Sequence, residues 1–303
     1  MADNEPDQGD LLRSLPATTA RVIRFSAEIA ESQPERPDYL HSVLCQVGLP
    51  RSRTKSTQFQ RTNGNASLLV EAGSLWNGTE WIAQPLPYGT RPRLALVYVS
   101  SEAVRTKSPT VELGHSVRDF LIRIGVDTGG REYATFNAQM RALAACRMTL
   151  GLGAATIDAK PIKQFVAWTD SATSSQALAP GTIELSPEFF GSLAQSAVPL
   201  DARALSALQH SSLALDVYCW LAHRLHRVKR ITGERLSWKN LREQFGQEYA
   251  DPKNFKREME KALRTVMAVY PDARIDQVDG GVVLLPSLPP VPKTVVQVRD
   301  RRG

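Results

Sequence analysis

The stretch from Ser237 to Leu285 constrains the fold of this chain more than any other. Its order predicts a short helix, a turn, a longer basic helix and a strand–turn–strand. Ser237 stands where its hydroxyl can take a free N–H of the first helical turn. Trp238, Leu241 and Phe245 recur at i, i+3 and i+7 and make one apolar face. Gly246 is expected to stop that helix in the left-handed conformation. Asp251 and Pro252 read as the cap and first residue of the second helix. Phe255, Met259, Leu263, Val266 and Tyr270 form its buried stripe, and Pro271 ends it. Lys253, Arg257, Lys261 and Arg264 run along another face at spacings of four, four and three. ARIDQVDGGVVLLP then predicts a hairpin, with Gly280 and Gly281 both expected to supply positive φ. Helix, turn, basic helix, hairpin is the order of a winged helix, which places its second helix in the DNA major groove and its hairpin beside the phosphates.

The charge of the chain is concentrated in the same region. The net charge is +6, and Arg224 to Arg264 carries 12 Lys and Arg against 6 Asp and Glu. The remaining residues balance at 25 against 25, so the excess is local, as a phosphate-binding surface requires. Three scattered cysteines suggest no disulfide framework and fit a reducing compartment. No apolar run reaches the roughly 18 residues of a membrane span. The acidic, polar N-terminus is unlike a signal peptide. A cytoplasmic location with no membrane partner is expected.

The pattern occurs twice. GHSVRDFLIRIGVD (Gly114 to Asp127) aligns with SWKNLREQFG without a gap: Ser116 meets Ser237, Phe120 meets Leu241, Ile124 meets Phe245 and Gly125 meets Gly246. TFNAQMRALA aligns with NFKREMEKAL, with Phe136 on Phe255, Met140 on Met259 and Ala144 on Leu263. LAL opens a helix upstream of each copy, at Leu94–Leu96 and Leu213–Leu215. Hairpin candidates follow each third helix: MTLGLGAATIDAKPIKQFVAW in the first copy and ARIDQVDGGVVLLP in the second. Four elements in one order, about 120 residues apart, predict a duplication.

The expected fold class is mainly α with small β-hairpins (α+β): two tandem winged-helix domains behind a disordered N-terminal arm. Residues 1–60 are expected to be mostly unstructured, interrupted by Pro6, Pro16, Pro34, Pro37 and Pro50, with short helices near Arg21–Glu31 and Tyr39–Val47. RSRTKSTQFQR (Arg51 to Arg61) reads either as a phosphate-contacting segment or as a solvated linker. The first domain is expected over 61–172, a Ser/Ala/Thr-rich linker over 173–182, the second domain over 183–287 and a disordered tail over 288–303. Ser67–Val70, Glu80–Ala83 and Ile183–Leu185 read as strands, while Ser186, Asp201 and Ser211 or Ser212 read as helix caps.

The sequence offers little for catalysis. It has no P-loop, and GLGAAT (Gly151 to Thr156) follows a helix and precedes a strand, the reverse of a dinucleotide loop. Cys219, His223 and His226 share a helix face without an evident fourth metal ligand. No nucleophile with a matching base stands out. No enzyme activity, cofactor or metal is expected.

GTRPRLALVYVSSEAVRTKSPTVELGHSVRDFLIRIGV, FNAQMRALAACRM, IELSPEFF, VPLDARALSAL and LALDVYCWLAHRL resemble the plasmid replication initiator family RepA. The similarity runs from about Phe59 to Pro286. The resemblance implies a non-enzymatic bacterial initiator with two winged helices. Such a protein binds repeated origin sites as double-stranded DNA, helps open the duplex, recruits a host initiator and the replicative helicase, and exchanges between homodimer and monomer. In the second copy, Asn254 and Arg257 are expected to read base edges. Lys253, Lys256, Lys261, Arg264 and Lys239 are expected to hold phosphates. In the first, Arg131, Thr135, Asn137 and Arg141 would act similarly, with Lys160 and Lys163 on the wing. A transcriptional regulator bound to one operator and a protein-interaction module are the competing readings.

Overall fold

The computed structural model describes residues 15–126, 130–158, 162, 164–166 and 181–292. It is a mixed α/β structure with more strand than the sequence predicts. Its N-terminal part is the main departure. α1 (Ala17–Glu31), β1 (Pro37–His41) and α2 (Ser42–Gln46) lie inside the expected disordered arm, the two helices close to the short ones expected near Arg21–Glu31 and Tyr39–Val47. Pro16 caps α1, Pro37 opens β1 and Pro50 follows α2, so the prolines delimit elements instead of preventing them. The chain is held there by burial: Val43, Cys45, Val47 and Leu49 are nearly inaccessible.

Next come β2 (Gln58–Asn63), β3 (Ala66–Glu71), β4 (Ser74–Trp76) and β5 (Trp81–Ala83). The first copy of the repeat follows as α3 (Thr90–Thr106), β6 (Thr110–Gly114), α4 (Val117–Arg123) and α5 (Gly130–Ala145). Then β7 (Arg147–Leu152) and β8 (Ala155–Asp158) form a hairpin that joins β2 and β3 in the order β2-β3-β7-β8. β9 (Gln164–Val166) and β10 (Gly181–Glu184) pair instead with β6, in the order β6-β10-β9. α6 (Pro187–Ser196), β11 (Ala197–Asp201) and α7 (Ala202–Leu208) lead to the second copy.

The second copy is α8 (Ser212–Arg224), a 3₁₀ turn at Leu225–Arg227, β12 (Glu234–Ser237), α9 (Trp238–Phe245), α10 (Pro252–Val269), β13 (Ile275–Val278) and β14 (Gly281–Leu284). Its sheet order, β12-β14-β13, has the connectivity of β6-β10-β9. The duplication therefore extends to the sheets, and the hairpin matching β13–β14 is β9–β10, not the β7–β8 strands that directly follow α5. Residues 173–180 of the expected linker lie outside the described residues. Gly181 and Thr182 belong to β10.

Local chemistry explains the helix starts. Ser116 Oγ accepts from Asp119 N at 3.1 Å, and Ser237 Oγ accepts from Asn240 N at 3.1 Å, so the aligned serines are equivalent caps. Ser186, Asp201, Ser211 and Asp251 cap α6, α7, α8 and α10. Two glycines act otherwise than expected. Gly246 has φ −107°, and a Cβ there would lie 2.5 Å from Arg242 Cγ, so the close approach of that side chain requires it. Of the turn pair only Gly280 has positive φ; a Cβ on Gly281 would lie 1.9 Å from the Leu236 carbonyl oxygen on the neighbouring strand.

The two copies share one core, and the N-terminal segment threads between them. β1 pairs antiparallel with β11, from Pro37 opposite Asp201 to His41 opposite Ala197. Arg93 of α3 forks onto Asp216 of α8 at 2.7 and 2.9 Å. It also donates to the carbonyls of Leu49, Pro50 and Gly89. Arg51 lies 3.6 Å from Asp216 and 2.8 Å from Glu248, in the α9–α10 turn. Arg61 of β2 is fully buried, 3.4 Å from Glu248 and donating to the Gly48 carbonyl at 3.3 Å. Burial and the neighbouring Arg51 push Arg61 down to about 10. Arg51 and Arg61, the ends of the segment weighed from sequence as phosphate-contacting, are thus spent inside the protein, while Arg53 and Lys55 between them are exposed.

Breaking a buried ion pair by deleting one member costs about 3–5 kcal/mol. Asp216→Asn is therefore expected to lower unfolding free energy by about that amount, measured by urea titration. A second expectation concerns His41, whose ring is buried against Phe189 and whose Nδ1 accepts from Val43 N at 3.2 Å. Burial pushes this imidazole down to about 4, whereas an unfolded histidine titrates near 6.5. Its contribution is complete above about pH 6.5 and is lost as pH falls toward about 4, because only the unfolded chain takes up the proton. His41→Asn keeps a capping side chain and should make the fall in stability over that window shallower, read by denaturant midpoints at several pH values; His223, also lowered to about 4, retains its share.

Candidate nucleic-acid interface

The strongest candidate surface is the outer face of α10. Phe255, Met259, Ala262, Leu263, Val266 and Val269 bury one side of this helix. At about 100° per residue, Lys253, Arg257, Lys261 and Arg264 then fall within one arc of roughly 80° on the opposite side. All four are exposed. Asp251 caps the helix by accepting from Lys253 N at 2.9 Å, and Pro252 occupies its first position.

The individual side chains differ in freedom. Arg257, 73% exposed, donates to Asn254 Oδ1 at 2.6 Å and to Glu258 Oε1 at 3.3 Å. The two residues expected to read bases therefore form one unit, in which the exposed Asn254 orients the guanidinium. Lys256 sits apart, 5.4 Å from the Trp238 ring centroid and 3.7 Å from Glu260, which also accepts from Gln277 of β13. It belongs to the junction of α9, α10 and the hairpin. Lys261 and Arg264 line a groove of about 510 Å³ whose other wall is α1, through Thr18, Thr19 and Val22. That wall comes from the helix expected near Arg21–Glu31, which begins earlier than expected and is docked where an otherwise unstructured arm was expected.

The hairpin turn is fastened to the start of α9. Trp238 N donates to the Gly280 carbonyl at 3.0 Å, and Arg235 donates to the Asp279 carbonyl. Lys239, exposed in the first turn of α9, thus stands beside the β13–β14 turn. Arg235 joins this group and was missed among the candidates, although it lies inside the basic window that defined them.

The first copy gathers its candidates less well. Thr135 and Arg141 are exposed on α5 but six residues apart, about 120° around the helix from each other. Asn137, half-buried, shares a side with Arg141. Arg131 lies in the first turn of α5, but its side chain, like Lys160 and Lys163, lies outside the described residues. Cys219 is buried in α8, and among the described residues no group of three His, Cys, Asp or Glu is placed to hold a metal. No helix among them is long and apolar enough to cross a membrane.

Comparison with known proteins agrees with this architecture. A crystal structure of selenomethionine-labelled domains 2 and 3 of RctB is similar at 12% identity, covering 80% of this chain and 95% of that one with a TM-score of 0.50. A second RctB crystal structure of domains 2–3 also has 12% identity, with 80% and 94% covered and a TM-score of 0.49. At such identity the likeness to the first of these is one of fold. No curated protein sequence matches the chain. The family model described as plasmid encoded RepA protein matches residues 86–240, from just before α3 into α9 and across just over half of the chain. With the first copy of the repeat and the start of the second inside that match, the chain belongs to the plasmid-encoded RepA family of replication initiators.

Proposed function

We propose that this protein starts plasmid replication by binding repeated double-stranded sites at the origin in a sequence-specific way. In this reading α8–β12–α9–α10–β13–β14 is a winged helix. α10 lies in the major groove, and Lys239 and Arg235 approach the backbone beside the hairpin turn. The observation that carries the reading is the exposed cationic arc of α10, displayed by a helix whose opposite face is buried. Cations on one exposed arc supply the salt-dependent attraction to phosphate, and the Asn254–Arg257 unit supplies donors suited to base edges. The first copy is read as a second winged helix with fewer gathered cations, suited to pairing copies as well as touching DNA. The chain acts here by binding, without catalysis, in the cytoplasm. Opening of the duplex and capture of the host initiator and replicative helicase follow as functions of the bound protein.

Footprinting on a fragment carrying the protein's own gene and flanks tests this. Protection repeating about every one or two helical turns and weakening steeply with salt is expected. A single protected operator would replace the initiator by a regulator, and no protection at low salt would remove DNA binding altogether. Within the site, Arg257→Ala should cost about 1–3 kcal/mol and relax preference at one base pair, whereas Lys253→Ala should weaken all sequences alike and lower the salt slope by about 1.

A further inference from the structure

The groove between α1 and α10 has a floor and a rim of different chemistry. Val22, Leu208, Leu213 and Ala262 form an apolar floor, and the last three are buried. Lys261 and Arg264 stand on the rim, exposed and without a side-chain hydrogen bond or ion pair among the described residues. Among those residues the lining holds one carboxylate, Glu258, and Arg257 engages it at 3.3 Å. The carboxylates of α1 itself, Glu28 and Glu31, lie at its far end, where Glu28 faces Arg24 at 3.8 Å. Two uncompensated cations therefore border an apolar bed, and along α10 they continue into Arg257 and Lys253.

The start of α1 is part of this groove. Thr18 and Thr19, in its first turn, line the wall, and Pro16 precedes them. Residues 1–14 lie outside the described residues, but they join the chain at Leu15, three positions from Thr18. Their sequence, MADNEPDQGDLLRS, carries Asp3, Glu5, Asp7 and Asp10 with no Lys or Arg before Arg13. Leu11 and Leu12 follow the acids directly. At no more than about 3.5 Å per residue, Leu12 can lie up to about 20 Å from Thr18 and Asp3 up to about 50 Å. At 1.5 Å per residue, Lys261 and Lys253 are only about 12 Å apart along α10. Both leucines are thus within reach of the floor, and the carboxylates beyond them are within reach of the whole arc.

We infer that residues 1–14 dock on this face, with Leu11 and Leu12 on the groove floor and the carboxylates over Lys261, Arg264 and Lys253. The segment matches the surface in order as well as in chemistry. Its apolar pair lies next to the tether, beside the apolar floor, and its acids lie farther out, as the cations of the arc do. Tethering presents the segment at roughly millimolar concentration, so contacts too weak to hold a separate partner suffice. The covered face is the one proposed to meet DNA. The segment then competes with phosphate for the same cations and leaves before α10 enters the major groove. It lowers affinity for every duplex by the same factor, which leaves weak sites empty at protein concentrations that fill strong ones. This competition rests on the proposed function, but the contact itself does not require DNA.

Zero-length carbodiimide coupling of the full chain without DNA tests the contact. Peptide mapping should find Asp3, Glu5, Asp7 or Asp10 joined to Lys261 or Lys253, and the joints should fade at high salt. The competition is read with a full-length variant carrying Asp3→Asn, Glu5→Gln, Asp7→Asn and Asp10→Asn. It should bind a duplex from the flanks of the protein's own gene about tenfold more tightly at low salt, with the gain shrinking as salt rises. A control with Glu31, Glu35, Glu80 and Glu188, all exposed, replaced by Gln makes the same change in net charge. It should gain no more than about twofold. Absence of any joint to either lysine, no gain in the variant, or an equal gain in the control would overturn the inference. If neither the full chain nor the variant binds the duplex, the DNA reading fails and the competition with it, while the coupling result alone decides the contact.

Discussion

The structure depends on a cluster of five charges, four of them with buried side chains, that no single element could support. Arg51, Arg61 and Arg93 converge on Asp216 and Glu248, and these residues come from the N-terminal thread, β2, α3, α8 and the α9–α10 turn. Three guanidiniums against two carboxylates leave a surplus positive charge. Backbone carbonyls at Gly48, Leu49, Pro50 and Gly89 absorb it through directed hydrogen bonds. Gly48 itself has no room for a side chain, because a Cβ would lie 2.5 Å from the Asp216 carboxylate. Such a cluster adds little net stability over apolar packing, since desolvating the charges offsets their attraction. What it supplies is geometry: the guanidinium forks accept only one mutual placement of the two copies.

The consequence for the surface is a division of labour among cations. Arg51, Arg61 and Arg93 are spent inside, each matched to a carboxylate or a carbonyl. Those of α10 stay outside on an arc fixed by the buried face of the same helix. A rigid junction behind that arc means that the position of one copy sets the position of the other. The groove between α1 and α10 belongs to the same logic: Arg203 ties the end of α1 by donating to the Glu28 and Ser32 carbonyls, and so fixes one wall beside Lys261 and Arg264.

Much of this was legible in the sequence wherever the signal is local. The caps at Ser116, Ser186, Asp201, Ser237 and Asp251 stand where their hydroxyls and carboxylates predicted, and the buried stripe of α10 follows its 3.6-residue period. At the end of the expected linker Gly181 and Thr182 belong to β10, which the sequence did not indicate because the strand is assigned only by its pairing with β6. The N-terminal thread was misread for a similar reason. Its proline-broken pattern lacks periodicity, and its order comes from partners far along the chain: β11 for β1 and α8 for α2. Gly246 and Gly281 were placed correctly but for the wrong cause, since close approach and positive φ leave the same letter in a sequence. The buried cluster left no mark at all, because an arginine destined for a core ion pair looks like one destined for solvent.

The thread also sets an order of events during synthesis. Residues 37–63 leave the ribosome early, yet Asp216 and Glu248 are made about 150 to 210 residues later. At typical elongation rates that interval lasts roughly 10–40 s. Throughout it Leu40, Leu44 and Leu49 can meet Leu94, Leu96 and Val97 but lack Leu205, Leu215 and Cys219, the part of their core supplied by α7 and α8. The first copy cannot complete its folding as an independent unit and waits for the second. For tens of seconds the nascent chain is an apolar segment in search of partners, and chaperone capture or premature association competes with folding at that stage.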